Sequence, residues 1–361
     1  MNRTPRNQRL QPRTLDEVPA RLGNPPSGLK LGQFTNADEA SIRYAEVPPH
    51  DPNDVSAVVI DVTGFRESIE RYYELMSDQQ DRGMAVFAMD WRGQGGSERY
   101  WPDKPQRPGS LGYDHDVADL RQFIDEVVRP AERFPGKPVI LFAHSMGANI
   151  SMRFMHDNPD TFDAAVLSPP MLGVQTKGFP RWAAKGLARA MRLVGLGKTY
   201  MPGEGDWEPH RELKDLVTDR TVRQELQDRF ARQHDDLKLG GATSIWLDEA
   251  LKSMSVLSAP EYLRGIKTPI QMHSARREFI VDPAAHDHAM KHLPNAEMVR
   301  HMDAYHEIWM KPQQRRDRVW DQVDNYLRRI VPGADFSIRQ RQAPDAAPQP
   351  TRRLEKTNPA P

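Results

Sequence analysis

The chain has 361 residues, enough for one large α/β domain or two modest ones with a sizeable core. Fifty Lys and Arg offset fifty Asp and Glu, so no net field favours nucleic acid, and neutral or mixed substrates stay open. The sequence holds no cysteine, which excludes disulfides, thiolate catalysis and zinc–sulfur sites and leaves oxygen or nitrogen as the nucleophile.

In chain order, residues 1–28 combine Pro, Arg and Asn without helical or strand period and are expected to form a mobile extension. No apolar leader core is visible there, and no stretch reaches the roughly 18 apolar residues of a spanning helix, so a soluble, cytoplasmic protein is expected. Short apolar runs follow: SAVVIDV (56–62), MAVFAMD (84–90), PVILFAH (138–144), DAAVLSP (163–169), TPIQMHS (268–274) and AEMVRHM (296–302). Turn residues bound each run, and helical patterns lie between them, which predicts an α/β fold with a mostly parallel, mostly buried sheet. Tyr113, Val117, Leu120, Ile124 and Val127 give one amphipathic helix; Val319, Val323, Tyr326, Leu327 and Ile330 give a closing one. Residues 333–361 crowd prolines and charges and are expected to be a disordered tail.

The alternation breaks over residues 172–258, where helical patterns occur without a strand and a helical cap is expected. Within it, PRWAAKGLARAMRLVGLG sets Arg181, Lys185, Arg189 and Arg192 on one face and Ala183, Leu187, Ala190, Met191 and Val194 on another. The expectation is a lid helix whose apolar side covers the site and whose charges face water; transient contact with a lipid surface is compatible with it. The cap aromatics Phe179, Trp182, Trp207 and Trp246 are candidates for an acyl pocket as well as for ordinary core.

ILFAHSMGANISM (140–152) places Ser145 after a strand and before a helix that the Asn158–Pro159 pair stops. Strand, sharp turn and helix form the nucleophile-elbow arrangement, which needs small residues two before and two after the serine. Those positions are Ala143 and Gly147, so the pattern is AxSxG rather than GxSxG. A hydroxyl is a poor nucleophile unaided, and a histidine base with an acid to orient it should follow late strands. His306 in DAYHEIW is the candidate base, and ARREFIVDP offers two acids, Glu278 and Asp282. His286, His288 and His292 read as solvated helix histidines rather than metal ligands. DWRGQGGS (90–97) lacks the spacing of a phosphate loop and reads as a tight surface turn beneath the site.

DWRGQGGSERY, FAHSMGANISM, GGATSIWLDEAL, EFIVDPAAHDHAM and AYHEIW, in that order, resemble the monoacylglycerol lipase and lysophospholipase group of the α/β-hydrolase superfamily. The resemblance covers about residues 30–330, and GEGDW inside the cap adds to it. It implies an α/β-hydrolase core over 29–171 and 259–332, with the 172–258 cap inserted after the sixth strand of that fold. It carries the nucleophile to Ser145, the base to His306 and, through a DxxVD-like pattern that here begins with glutamate, the acid to Glu278. It places the oxyanion donors at the backbone N–H groups of Phe65 and Met146, although Thr63-Gly64 stands where His-Gly is usual. The implied activity is hydrolysis of small acyl esters, monoacylglycerols or lysophospholipids, without a metal or organic cofactor, by a cytoplasmic enzyme able to work peripherally at a membrane. A peptidase or acyltransferase with the same triad, or a non-catalytic binding module, are the alternatives.

Overall fold

The structure, a computed structural model, describes residues 10–129, 133–175, 181–209 and 222–339. Its centre is a sheet of eight strands in the order β1-β2-β4-β3-β5-β6-β7-β8. The strands are β1 (Lys30–Thr35), β2 (Ser41–Val47), β3 (Ala57–Val62), β4 (Met84–Met89), β5 (Val139–His144), β6 (Ala164–Ser168), β7 (Ile270–Ala275) and β8 (Ala296–His301). From β4 across to β8 all pairings are parallel, whereas β1 and β2 form an antiparallel hairpin that pairs antiparallel with β4.

All six apolar runs of the sequence are strands within one or two residues. β3, β4, β6 and β7 are buried along their whole length, as expected of parallel strands covered on both faces. The covering helices are α1 (Ala20–Gly23), α2 (Tyr73–Gln80), α3 (Tyr113–Phe123), α4 (Ser145–Asp157), α5 (Arg181–Leu193), α6 (Leu226–Gln233), α7 (Ser244–Leu257), α8 (Pro260–Gly265), α9 (Pro283–Met290) and α10 (Gln313–Ile330). One core, with Phe123, Ile150, Phe154 and Met254, fills the sheet face under α3, α4 and α7; a second, with Tyr73, Phe142, Trp320 and Leu327, fills the face under α2 and α10.

The ends are less free than their composition suggests. From residue 10 the N-terminal segment packs onto the domain: Leu15 and Leu22 are buried, and Arg13 bonds Glu70 at 2.7 Å and Asp236 of the cap region at 2.5 Å. Beyond α10, Phe336 is fully buried and Ser337 closes a turn on Asp335. A few apolar anchors spaced along a polar segment dock it without any periodic signal. The remainder of the expected tail lies outside the described residues.

Between β6 and β7 lie α5, α6, α7 and α8. Thr243 caps α7, its Oγ1 accepting from Trp246 N, and its hydroxyl donates to Pro108 O of the core at 2.7 Å. GEGDW and GGATSIW pack against each other: Gly241 N donates to Gly205 O at 2.8 Å, and a Cβ on Gly240 would stand 2.5 Å from that same carbonyl. The α5 face turned to α7 holds Ala188, Lys185 and Arg192 rather than the predicted apolar face, while Lys185 and Arg189 stay exposed as expected of the charges. Ala188 is buried, Lys185 Nζ reaches Ser255 Oγ at 3.4 Å, and Arg192 pairs with Asp248 at 2.9 Å and with Glu249. α7 offers carboxylates there, so the cations have partners and the opposite apolar face points outward. Trp182, Leu187, Leu193 and Val194 are exposed.

Candidate active site

Ser145 is the first residue of α4, directly after β5, and its φ of 50° lies in the left-handed region that only three described non-glycine residues occupy. This strain is what an elbow turn imposes on its central residue. The helix behind it runs close against the turn after β3. A Cβ on Gly147 would come within 2.5 Å of Thr63 O and 2.9 Å of Val62 O, so glycine is required there. Ala143 sits buried in β5, and its methyl is accommodated in the core.

His306, in the loop after β8, lies beside this elbow: its ring centroid is 4.8 Å from that of His144, the residue next to Ser145. Its Nδ1 donates to Glu278 Oε2 at 2.9 Å, and both side chains are buried. The other carboxylate oxygen of Glu278 accepts the backbone N–H groups of Phe279 and Ile280 at 2.9 Å each, which fixes the carboxylate in its loop. Burial pushes the Glu278 carboxyl up, but the His306 imidazole and those N–H groups outweigh it and hold it below the ordinary value. Burial likewise pulls His306 down, and the facing Glu278 more than reverses this, raising it above 6.5. Asp282, the alternative acid, is otherwise engaged, because its Oδ1 caps α9 by accepting Ala284 N at 3.0 Å.

His286 departs from the expectation of a solvated histidine. It is fully buried, with Nε2 donating to Pro170 O at 2.7 Å and Nδ1 accepting from Ser274 Oγ at 2.9 Å. It therefore ties α9 to the loop after β6 and to β7 itself. His288 and His292 stay near the surface with rings 4.8 Å apart, and among the described residues no group of three or more His, Asp or Glu side chains is placed to hold a metal ion.

The turn after β3 carries Phe65, and Met146 is the second residue of α4, where backbone N–H groups have no acceptor within the helix. Gly64 N is already taken by Glu67 Oε2 at 2.5 Å. DWRGQGGS is not a surface turn. Trp91 and Gln94 are buried, Trp91 Nε1 donates to Thr63 O at 2.8 Å, and Gln94 Nε2 donates to Gly64 O at 2.7 Å. Those two side chains fasten the turn through its carbonyls, and Gln94 Oε1 also accepts from Arg66 N at 3.2 Å. On its outer side Phe65 stacks on Trp246 of α7 with centroids 3.8 Å apart, and Arg66, itself at φ 65°, donates to Leu239 O at 3.0 Å. A narrow cleft opens here, lined by Phe65, Met146, Tyr113, Leu239, Trp246 and Asp116 among others. Of the cap aromatics, Trp246 thus reaches the cleft, Trp182 is exposed, Trp207 is half-buried under Lys238, and Phe179 lies outside the described residues.

Residues 53–313 match the Hydrolase_4 family, described as serine aminopeptidase, S33. The chain belongs to this family. Within the range of that match lie Ser145, Glu278 and His306 as well as the cap. The chain is 29% identical over 278 residues to a probable lysophospholipase L2 of Haemophilus influenzae, covering 76% of this chain and 84% of that one. It is 29% identical over 261 residues to lysophospholipase L2 of Escherichia coli K12, covering 71% and 72%. Among solved structures, a soluble variant of the Saccharomyces cerevisiae monoglyceride lipase in complex with a substrate analog superposes with a TM-score of 0.66 at 17% identity, covering 84% of this chain and 97% of the other. That level of likeness establishes the α/β-hydrolase fold.

Proposed function

We propose that this member of the Hydrolase_4 family is a serine-dependent hydrolase of lipid esters, acting on lysophospholipids or monoacylglycerols through an acyl-enzyme. The observation that carries the chemistry is the strained Ser145 at the β5–α4 turn with the buried His306–Glu278 pair beside it. His306 takes the Ser145 proton as the serine oxygen bonds to the acyl carbon, and Glu278 steadies the imidazolium so formed. The amides of Phe65 and Met146 receive the oxyanion. When the tetrahedral species collapses, the ester C–O bond breaks and His306 returns the proton to the departing alcohol. Water, deprotonated by the same imidazole, then releases the fatty acid.

Two features support a lipid ester rather than a peptide. The full-length relatives described above are lysophospholipases, and α5 turns an apolar face outward as an element that rests on a lipid aggregate would. Through that face the enzyme works peripherally at a lipid surface; among the described residues no helix is long and apolar enough to cross a membrane. The test is a fluorophosphonate label followed by turnover of lysophosphatidylcholine, monoacylglycerol and an aminoacyl amide. Labelling lost in Ser145→Ala, with ester turnover far above amide turnover, is the expected result. Preferred amide cleavage would make the chain a peptidase, and a folded, unlabelled wild type would make it a binding module.

A further inference from the structure

An oxyanion hole built from Phe65 and Met146 draws its two donors from separate segments, the turn after β3 and the first turn of α4. Something must fix their spacing. One buried carboxylate touches both segments. Glu67 Oε2 accepts Gly64 N at 2.5 Å, one residue before Phe65, and meets His144 Nδ1 at 3.1 Å, two residues before Met146. Tyr72 OH donates to the same oxygen at 2.6 Å, and Arg71 Nε stands 3.4 Å from the other. Glu67 and His144 are both buried, and a Cβ on Gly64 would lie 2.8 Å from Glu67 Oε2 and 2.9 Å from His144 Nδ1. The glycine is thus what lets the carboxylate and the imidazole close on the turn.

We propose that Glu67 is a positioning residue of the oxyanion hole, its Oε2 joining the Phe65 turn to the nucleophile elbow through Gly64 N and His144 Nδ1. The proposal rests on the ester-hydrolase reading above. Burial disfavours the charge on Glu67, and His144 and Arg71 outweigh it, so the carboxylate is ionised and acceptor-only at neutral pH. His144 therefore carries its hydrogen on Nδ1. Glutamine at 67 keeps the volume but replaces one acceptor oxygen with an NH₂ group facing other donors, and the joint loosens. Because the oxyanion forms only in the transition state, loosening lowers kcat and spares KM.

The experiment uses the full chain with p-nitrophenyl butyrate and compares Glu67→Gln, His144→Phe and the double variant. Each single variant is expected to lower kcat about 10- to 100-fold, below or near the loss of one complete oxyanion donor, with KM held within about threefold. The double variant is expected to lose no more than the worse single, since both cut one joint. Because the Glu67 charge also helps to raise His306, the acid limb should move slightly to lower pH in Glu67→Gln, and kcat is therefore compared on the plateau above the limb, where a charge effect on His306 no longer contributes. A folded Glu67→Gln with full kcat on that plateau, or losses that multiply in the double variant, would each overturn the proposal. If Glu67→Gln does not fold, His144→Phe decides alone, and full kcat there overturns it. A wild type that cleaves neither ester nor amide overturns the catalytic reading and this proposal together, whereas an active wild type beside an unimpaired Glu67→Gln overturns only the latter.

Discussion

His306 Nδ1 donates to Glu278 Oε2 at 2.9 Å across a separation of 28 residues, joining the loop after β7 to the loop after β8. A base must be neutral to accept the serine proton, and Glu278 raises His306 above 6.5 despite its burial. The acid limb of kcat/KM should therefore have its midpoint above 6.5 in the wild type. Glu278→Gln removes the charge, so the midpoint should move to lower pH while kcat falls about 10²- to 10⁴-fold. Asp282→Asn should leave the limb in place and change stability little, because the asparagine carbonyl caps α9 about as well as the carboxylate. Paired pH–rate profiles check this, and a larger kcat loss in Asp282→Asn would transfer the acid to 282. The same pair sets a stability window. The lowered Glu278 stabilises above its unfolded value near 4.5 and the raised His306 below its unfolded value near 6.5, so their joint contribution is greatest between these pH values.

Arg43 is fully buried in β2 with its guanidinium on both oxygens of Glu70, at 2.7 and 2.8 Å, and on Asp90 Oδ2. Arg43→Met would leave two buried carboxylates short of their main cation. The expected cost is about 3–5 kcal/mol in chemical denaturation. A loss below 1 kcal/mol would show that water or Arg13 takes over.

That same arginine explains why the sequence hid part of the fold. Five of the six parallel strands are buried over most or all of their length and read as plain apolar runs, and β8, half-exposed at the sheet edge, was legible as a short run bounded by turn residues. β1 and β2 were not, because KLGQFT is half-exposed at the sheet edge and SIRYAEV holds a charged residue at a buried position whose partners lie 27 and 47 residues away. At the site, Ser145 and His306 were visible because strand-end positions and residue types announce them, whereas Glu278 was separated from Asp282 only by the DxxVD-like resemblance. Trp91 and Gln94 act through contacts with backbone atoms of a distant turn, and Glu67 acts by joining nearby Gly64 to the distant His144, for which a single sequence carries no periodic signal. The orientation of α5 was legible only as amphipathy. Which face points inward depended on the carboxylates of α7.

Asp61 lies fully buried in β3, and burial pushes its carboxyl up to about 7, against the lowering by Gln79. Gln79 Nε2 donates to Asp61 Oδ1 at 2.8 Å, whereas Asp61 Oδ2 and Gln79 Oε1 have no hydrogen-bond partner among the described residues. A proton on Oδ2 satisfies both oxygens by closing a second bond of the pair. The unfolded chain loses this proton near 3.8 and the folded one near 7, so stability should fall as pH rises between these values and level off above. Asp61→Asn keeps the two-bond pairing without the titration. It should match the wild type near pH 4 and be more stable at pH 8, by about 2–4 kcal/mol. Melting curves across that range check it, and parallel curves would show that Asp61 is ionised at neutral pH.

The outward face of α5 yields the last prediction. Trp182 and Leu193 are each 78% exposed and Val194 is 71% exposed, apolar side chains turned to water on and just after a helix whose Lys185 and Arg192 reach α7. Left in water, such a patch is unfavourable; laid into the acyl boundary of a micelle or vesicle, each large side chain gains about 1.5–3 kcal/mol. Leu193→Glu combined with Val194→Glu should thus lower partition onto phosphatidylcholine vesicles at least about tenfold and depress turnover of micellar lysophosphatidylcholine in parallel. Neither residue contacts the cleft beside Ser145, so hydrolysis of soluble p-nitrophenyl acetate should stay within about twofold of the wild type. Sedimentation with vesicles and the two rate assays separate the outcomes. Unchanged partition would assign the exposed face to a protein partner, and a matching loss on the soluble ester would mean that the charges had disturbed the cap itself.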